Sequence, residues 1–226
     1  QPVAVFVGHD CTNVPGERPA CDHLEEQLFP DETWGRDYVV SGLRDRGPGN
    51  PSVVRAVSQL DDNVLTFDPP SVHAPRTLRA GETLEFSTAQ HFRVTGTRAF
   101  LVAQFMNGQG PAMVDVEGTG DPAMVLEAPV PQHRTQHDVY VPDTYPQNFF
   151  NVVAPAGAAL TLDGMPLRGS PEMLGDFAVY TLPVAPGAHR VRSADARPLS
   201  VKVYGIARYT SYMYPGGLDL RSLPPR

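Results

Sequence analysis

The chain has 226 residues, a net charge of −7, 41% hydrophobic residues and 19% charged residues, so it can bury a core without help from a metal. Its 20 glycines and 24 prolines interrupt the sequence too often for long helices or coiled coils. No apolar run approaches the roughly 18 residues of a membrane-spanning helix, and an acidic chain with one lysine, Lys202, is unsuited to nucleic acid. We therefore predict a globular protein without a membrane span or a nucleic-acid partner.

Short apolar runs separated by turn residues predict an all-β protein. One of these runs is followed by Asp163-Gly164, which predicts a hairpin turn because glycine tolerates the positive φ that such turns require. The predicted strands are Val3–Val7, Tyr38–Val40, Val53–Val57, Val64–Phe67, Thr83–Phe86, Phe100–Phe105, Phe149–Val153, Ala159–Leu162, Phe177–Leu182 and Leu199–Tyr204.

One short helix is predicted near the N-terminus, at Asp22–Leu28. Asp22 is a suitable N-cap, and Glu25 follows three residues later as in a capping box. Leu24 and Leu28 would share one face of this helix.

The two cysteines, Cys11 and Cys21, have nine residues between them. A structural metal site needs four ligands and a redox-active pair needs the C-x-x-C spacing, and the sequence has neither pattern. The pair indicates one disulfide in an oxidising compartment, with two free buried thiols as the alternative. A disulfide here would connect the start of the predicted helix to the first strand.

Three segments of the chain, 1–7, 98–105 and 197–203, resemble one another, and Val5, Val102 and Val201 align at spacings of 97 and 99 residues. Other features recur at a similar offset, including 64–68 with 159–163. We therefore predict two tandem β-sandwich-like repeats of about 100 residues. Residues 9–108 would form repeat one, 109–226 repeat two, and 1–8 the closing strand of a preceding repeat, so that the chain is a fragment.

The best candidate for a binding surface is the segment 209–217. Tyr212 and Tyr214 would share one face of a strand, Tyr209 precedes them, and Gly216-Gly217 follows as a flexible loop. Tyrosine gives a large contact area at low entropic cost and is favoured at interfaces. These three tyrosines are the predicted binding residues, and packing against a neighbouring domain is the alternative role.

Other patterns fit structural roles better than chemical ones. His133 and His137 could bind a metal from a helix, but the flanking prolines favour an extended stretch with the rings far apart. Trp34 suits a ligand platform or a core aromatic, and Asp61-Asp62 lacks the alternating ligands of a calcium site. With no Gly-x-Ser-x-Gly elbow and no phosphate loop, we predict no catalytic residue, no metal and no cofactor.

Several motifs together carry a family resemblance over most of the chain: Val3–Pro15, Cys21–Leu28, Thr33–Val40, Gly120–Met124, Asn151–Pro155, Leu162–Gly164 and Ser211–Leu218. With these motifs the sequence resembles the N-terminal domain of the IgG Fc-binding protein, a family with many bacterial secreted members. The resemblance implies a secreted or surface-displayed β-rich module in which Cys11 and Cys21 form a disulfide. It supplies no catalytic motif.

Two classes of function are compatible with these features. The first is a non-catalytic binding or adhesion module whose partner is an extracellular protein or glycan, or a neighbouring repeat of the same protein. The second is an architectural spacer in a larger extracellular protein. The preference for arginine over lysine is typical of GC-rich coding and favours a bacterial source.

Overall fold

A computed structural model describes residues 3–44, 50–109 and 120–223, and these form an all-β structure. In these described ranges the helical elements are two 3-10 turns, Asp31–Thr33 and Val130–Gln132. Within the described ranges, no helix has the length and apolar character needed to cross a membrane. The strands are β1 (Phe6–Thr12), β2 (Asp22–Gln27), β3 (Gly35–Val40), β4 (Ser52–Ser58), β5 (Asn63–Asp68), β6 (Arg76–Leu78), β7 (Thr83–Thr88), β8 (Phe92–Met106), β9 (Ala123–Leu126), β10 (Gln136–Val141), β11 (Gln147–Pro155), β12 (Leu160–Leu162), β13 (Met165–Pro166), β14 (Glu172–Leu174), β15 (Phe177–Pro183), β16 (Gly187–Ser193), β17 (Ser200–Ala207) and β18 (Thr210–Pro215).

Strands β3 to β9 form one sheet that the long strand β8 folds into two layers. Residues 92–96 of β8 lie between β3 and β5, whereas residues 100–106 lie between β4 and β9. Gly96 lies where β8 changes layer, and a Cβ there would be 2.8 Å from the Phe100 ring, so the close approach requires glycine. Side chains from both layers enclose the first core: Tyr38, Val40, Val54, Ala56, Leu65, Phe67, Leu78, Phe92, Val94, Phe100 and Val102.

Strands β10 to β18 form two further sheets, ordered β10-β16-β12-β13 and β14-β15-β11-β17-β18. The predicted turn at Asp163-Gly164 joins β12 to β13, and both of its residues have positive φ, 52° and 80°. The second core lies between these sheets: Val139, Val141, Phe150, Val152, Ala154, Leu160, Val191, Leu199, Val201 and Val203.

We call β3 to β9 the first set of strands and β10 to β18 the second set, and the two sets have the same strand order. In the first set one layer runs β3-β8-β5-β6 and the other β9-β8-β4-β7; in the second set the layers run β10-β16-β12-β13 and β18-β17-β11-β15, with β14 added at the edge. The single strand β8 therefore occupies the positions of two strands, β16 and β17, in the second set.

The predicted helix at Asp22–Leu28 is wrong, because Asp22–Gln27 forms strand β2, antiparallel to β1. Leu24 is buried while its two neighbours are exposed, which is the period-two pattern of a strand. The Asp22 carboxylate accepts a hydrogen bond from the adjacent backbone N–H of His23, so it does not cap a helix one turn later. Pairing with β1 satisfies the backbone of a segment that is too short to hold an isolated helix.

The disulfide between Cys11 and Cys21 closes the same hairpin, with the two Cα atoms 5.0 Å apart. Cys11 lies near the end of β1 and Cys21 lies immediately before β2. The disulfide therefore joins two strands rather than a strand and a helix.

Each two-layered set is covered on one outer face by the hairpin that precedes it in sequence. On the first set, Leu24 of the β1–β2 hairpin packs against Val53, Phe105 and Met124. On the second set, Met106, Ala123 and Val125 of β8 and β9 pack against a cluster at equivalent register positions, Phe149, Tyr204 and Met213, together with Ile206. The β1–β2 hairpin therefore packs on the first set in the same way as the β8–β9 hairpin packs on the second set.

Candidate functional site

The three tyrosines predicted as binding residues lie on the hairpin of β17 and β18. Tyr209 lies in its two-residue turn with a φ of 57° and is 45% exposed. Tyr212 and Tyr214 are half-buried on one face of β18, with their ring centroids 6.0 Å apart and an interplanar angle of 21°. The structure therefore places Tyr212 and Tyr214 side by side and Tyr209 at the tip of the hairpin.

The position of the Tyr212 ring depends on the residue opposite it. Gly205 pairs with Tyr212 across the two strands, and a Cβ at Gly205 would lie 2.1 Å from the Tyr212 ring. A glycine is therefore required in the neighbouring strand for the ring to lie flat over the backbone.

Hydrogen bonds hold the two half-buried phenols in place. The Tyr212 hydroxyl donates to Oδ1 of Asn148 over 2.8 Å, and the Tyr214 hydroxyl donates to the Tyr140 carbonyl. Burial raises the pKa of both tyrosines, and for Tyr212 the neighbouring phenols add to the effect. Both groups therefore remain neutral hydrogen-bond donors across the physiological pH range.

Two further tyrosines that the sequence pattern does not single out lie beside this hairpin: Tyr145 through its ring, and Tyr140 through its backbone carbonyl, which accepts from Tyr214. The Tyr145 ring meets that of Tyr212 edge-on at 4.7 Å, and Tyr140 is 63% exposed on β10. Because both residues lie far from β18 in the sequence, no local spacing predicts that they lie near it. The alternation of polar and apolar residues along β10 does indicate that the Tyr140 side chain faces outward. We call the five residues, Tyr140, Tyr145, Tyr209, Tyr212 and Tyr214, the tyrosine face.

A cleft of about 500 Å³ lies beside Trp34, where the first 3-10 turn meets the C-terminal segment. The indole N–H of Trp34 donates to the Phe29 carbonyl over 3.1 Å, while Asp31, Asp37 and Leu223 contribute to the walls. Its volume is in the range of small-molecule sites. Trp34 is thus half-buried and also lines a cavity, which leaves both of its expected roles open.

The other sequence candidates do not meet in one site. His137 is buried in β10, where Nδ1 lies 3.1 Å from the Gly216 carbonyl and Nε2 lies 2.9 Å from the Leu199 carbonyl. His133 is also buried, while the Asp61 and Asp62 side chains lie on an exposed turn. Among the described residues, no three His, Cys, Asp or Glu side chains are grouped in a way that would hold a metal ion.

Comparisons with known proteins point to one family. The family model described as IgGFc binding protein matches residues 1–205. The human IgGFc-binding protein is 30% identical over 167 residues, which is 72% of this chain and 3% of the relative. The chain thus spans a very small part of that relative's length. No solved structure matches the chain.

Proposed function

Because the chain belongs to the IgGFc-binding protein family, we propose that it is a non-catalytic extracellular binding module that contacts a protein partner through its tyrosine face. The name of the human relative refers to a protein ligand, the Fc part of immunoglobulin G. An extracellular location is consistent with the Cys11–Cys21 disulfide, because such bonds persist in oxidising compartments.

The observation that carries this proposal is the presence of three tyrosines in contact, Tyr145, Tyr212 and Tyr214, with two exposed tyrosines, Tyr140 and Tyr209, next to them in the structure or at the hairpin tip. β18 is the last strand of its sheet among the described strands, and none of these pairs with its second edge, which is the edge that a partner could contact. Tyr140 and Tyr209 project into solvent, while stacking and hydrogen bonds fix the half-buried rings of Tyr212 and Tyr214. A rigid aromatic surface of this kind loses little entropy on binding.

Replacing both exposed rings, in the variant Tyr140→Ser/Tyr209→Ser, should weaken partner binding by about tenfold or more, because interface tyrosines are common hot spots. The measurement is surface plasmon resonance, first with the Fc fragment of human immunoglobulin G as the immobilised probe. The second probe is the protein fraction of the native extracellular medium.

The matched control is Met165→Ser/Met173→Ser, which removes two side chains that are 63% and 60% exposed on other strands, β13 and β14. This control should bind like the parent protein. Equal weakening in both variants would contradict a role for the tyrosine face. A parent protein that binds neither probe would argue against a binding module and favour the architectural role.

A second candidate function is that of a spacer unit in a tandem array, and the repeated packing of hairpins favours it. We propose that β3–β9 and β10–β18 are the two repeats, with the expected boundary after residue 108 moved beyond β9, since β9 pairs with β8. In this proposal the strand predicted within 1–8 belongs, with β2, to the closing hairpin of a preceding repeat. The bacterial source remains a prediction.

The open side of β1 supports this arrangement. The equivalent strands are each paired on both sides, residues 100–106 of β8 by β4 and β9, and β17 by β11 and β18, whereas β1 pairs only with β2 among the described strands. Val5, Phe6 and Val7 of this segment are exposed. An upstream repeat would supply a strand equivalent to β4 or β11 and cover these side chains.

Fusing residues 127–196 directly ahead of Gln1 should slow hydrogen exchange at the β1 amides by about tenfold or more, because the added β11 copy would pair with β1. Exchange is measured by mass spectrometry on the fusion and on the parent chain. As a control, Val152→Pro in the added copy alone removes a donor from its central strand and should abolish the protection. Equal β1 exchange in the fusion and the parent would contradict the array.

A further inference from the structure

A buried charged cluster joins the two sets of strands, and its centre is Lys202, the single lysine of the sequence. The side chain leaves β17 of the second set and is 5% exposed. Its Nζ atom donates to the Ser41 carbonyl over 2.9 Å, contacts Oε1 of Gln104 and lies 2.5 Å from Oε1 of Glu127. All three partners belong to the part of the chain that precedes β10.

Two of these partners are groups that the formation of an amide bond to an amine requires, a carboxamide and a carboxyl group that carries protons. Gln104 provides a carboxamide, held by a 3.2 Å hydrogen bond from its Nε2 to the Ser41 carbonyl, so that its oxygen meets the amine of Lys202. Glu127 provides a buried carboxyl group that touches the same amine. Holding nucleophile, electrophile and proton carrier in contact replaces a slow bimolecular encounter with an intramolecular reaction.

The surroundings keep water away from these groups. A cavity of about 10 Å³ beside Glu127, Lys202 and Asn151 is at the lower limit for one water molecule. Burial lowers the pKa of Lys202 and raises that of Glu127, and the attraction between the two groups opposes both shifts. Burial therefore favours passing a proton from the ammonium to the carboxylate, which leaves a neutral, nucleophilic amine.

We propose that Lys202 and Gln104 become joined by an intramolecular amide bond that the folded protein forms once, with Glu127 as the proton carrier. Glu127 takes a proton from the Lys202 ammonium, and the free amine attacks Cδ of Gln104. Glu127 then returns that proton to the departing Nε2 group and, as a carboxylate again, accepts the proton that the added nitrogen loses, so that it ends as a neutral carboxyl group. The Cδ–Nε2 bond breaks, the Cδ–Nζ bond forms and one ammonia leaves, so no oxidant or further reactant is needed.

The bond would connect β8 to β17, a central strand of one set to a central strand of the other. The two units could then not separate without breaking a covalent bond. This inference does not depend on the tyrosine face or on the nature of the ligand, so either proposal can fail without the other.

The test begins with the mass of the purified full chain after reduction and denaturation. Formation of the bond removes about 17 Da, the mass of one ammonia. Cyclisation of Gln1 removes the same mass, so the position of the loss must be found in peptides. In a tryptic digest, crosslinked Lys202 resists cleavage and acetylation, and its peptide is joined to the peptide containing Gln104.

Four variants separate the bond from its alternatives. Lys202→Arg and Gln104→Leu should lack the crosslink, and Glu127→Gln should lack it or form it at least tenfold more slowly. Asn151→Ser changes a neighbouring amide opposite Lys202 and should keep the bond. Circular dichroism of each variant verifies that it is folded, and Lys202→Arg is the variant to use for comparison if Glu127→Gln does not fold.

The proposal is overturned if the parent chain yields the Lys202 peptide with a free, acetylatable amine. A crosslink that maps to Asn151 instead of Gln104 also overturns it. If the Glu127→Gln variant forms the crosslink at the same rate as the parent chain, Glu127 is not the proton carrier.

Discussion

Phe100→Ala is expected to lower the free energy of unfolding by about 3–5 kcal/mol, the range for large aromatic residues removed from a core. Phe100 is fully buried where β8 passes from one layer to the other. Its ring lies 4.8 Å from that of Tyr38, and the Tyr38 hydroxyl donates to the Phe100 carbonyl and accepts from the Gly35 N–H. The loss of the ring would leave a cavity between two layers that these hydrogen bonds hold at a fixed distance.

Urea unfolding followed by Trp34 fluorescence measures this loss, because Trp34 is the single tryptophan and lies next to β3. The matched control is Phe6→Ala, since Phe6 is 60% exposed on β1. The control should change the free energy of unfolding by less than about 0.5 kcal/mol. Comparable losses in the two variants would contradict the assignment of Phe100 to the core.

The all-β class and most of the buried strands were predictable from the sequence. From Tyr38–Val40 onward, every predicted strand overlaps an observed one, because these strands carry apolar side chains that the cores require. The first prediction, Val3–Val7, only partly coincides with β1 at Phe6–Thr12. There the apolar residues are exposed, so burial does not fix where the strand begins.

Strands with polar outer faces were missed, and the reason is their position in the sheets. β10 and β16 pair with each other and carry Asp138 and Arg190 as an exposed ion pair at 2.6 Å. Only every second residue of these strands reaches the core, as at Val139 and Val191. A sequence with so few apolar positions resembles a loop until its strand partner is known.

Long-range associations were the least predictable part of the candidate sites. The charges of Lys202 and Glu127 meet only because β8 and β9 pack on the outer face of β17. Similarly, the Tyr145 ring meets Tyr212 and the Tyr140 carbonyl meets the Tyr214 hydroxyl because the strand order brings β10 near β18. Neither grouping of residues has a local spacing in the sequence that would predict it.

A pH-dependent loss of stability is expected from His133, which is 6% exposed. Burial, with a smaller contribution from His137, lowers the pKa of His133 to about 4, against the opposing effects of Ala128 and Asp37. In the unfolded chain the pKa returns to about 6.5, so below that pH only the unfolded state takes up the proton. The stabilisation is therefore complete above about pH 6.5 and is lost as the pH falls towards 4, by about 3 kcal/mol in total.

The measurement is the difference in free energy of unfolding between the parent protein and His133→Asn, at pH 7 and at pH 4. A difference is needed because burial raises the pKa of Asp121 to about 6, and that group stabilises the fold as the pH falls through the same range. Asp121 contributes equally to both proteins, so subtraction removes it. The parent should lose about 3 kcal/mol more than the variant between the two pH values. Parallel pH curves would mean that His133 titrates in the folded protein as it does in water, which its burial should not allow.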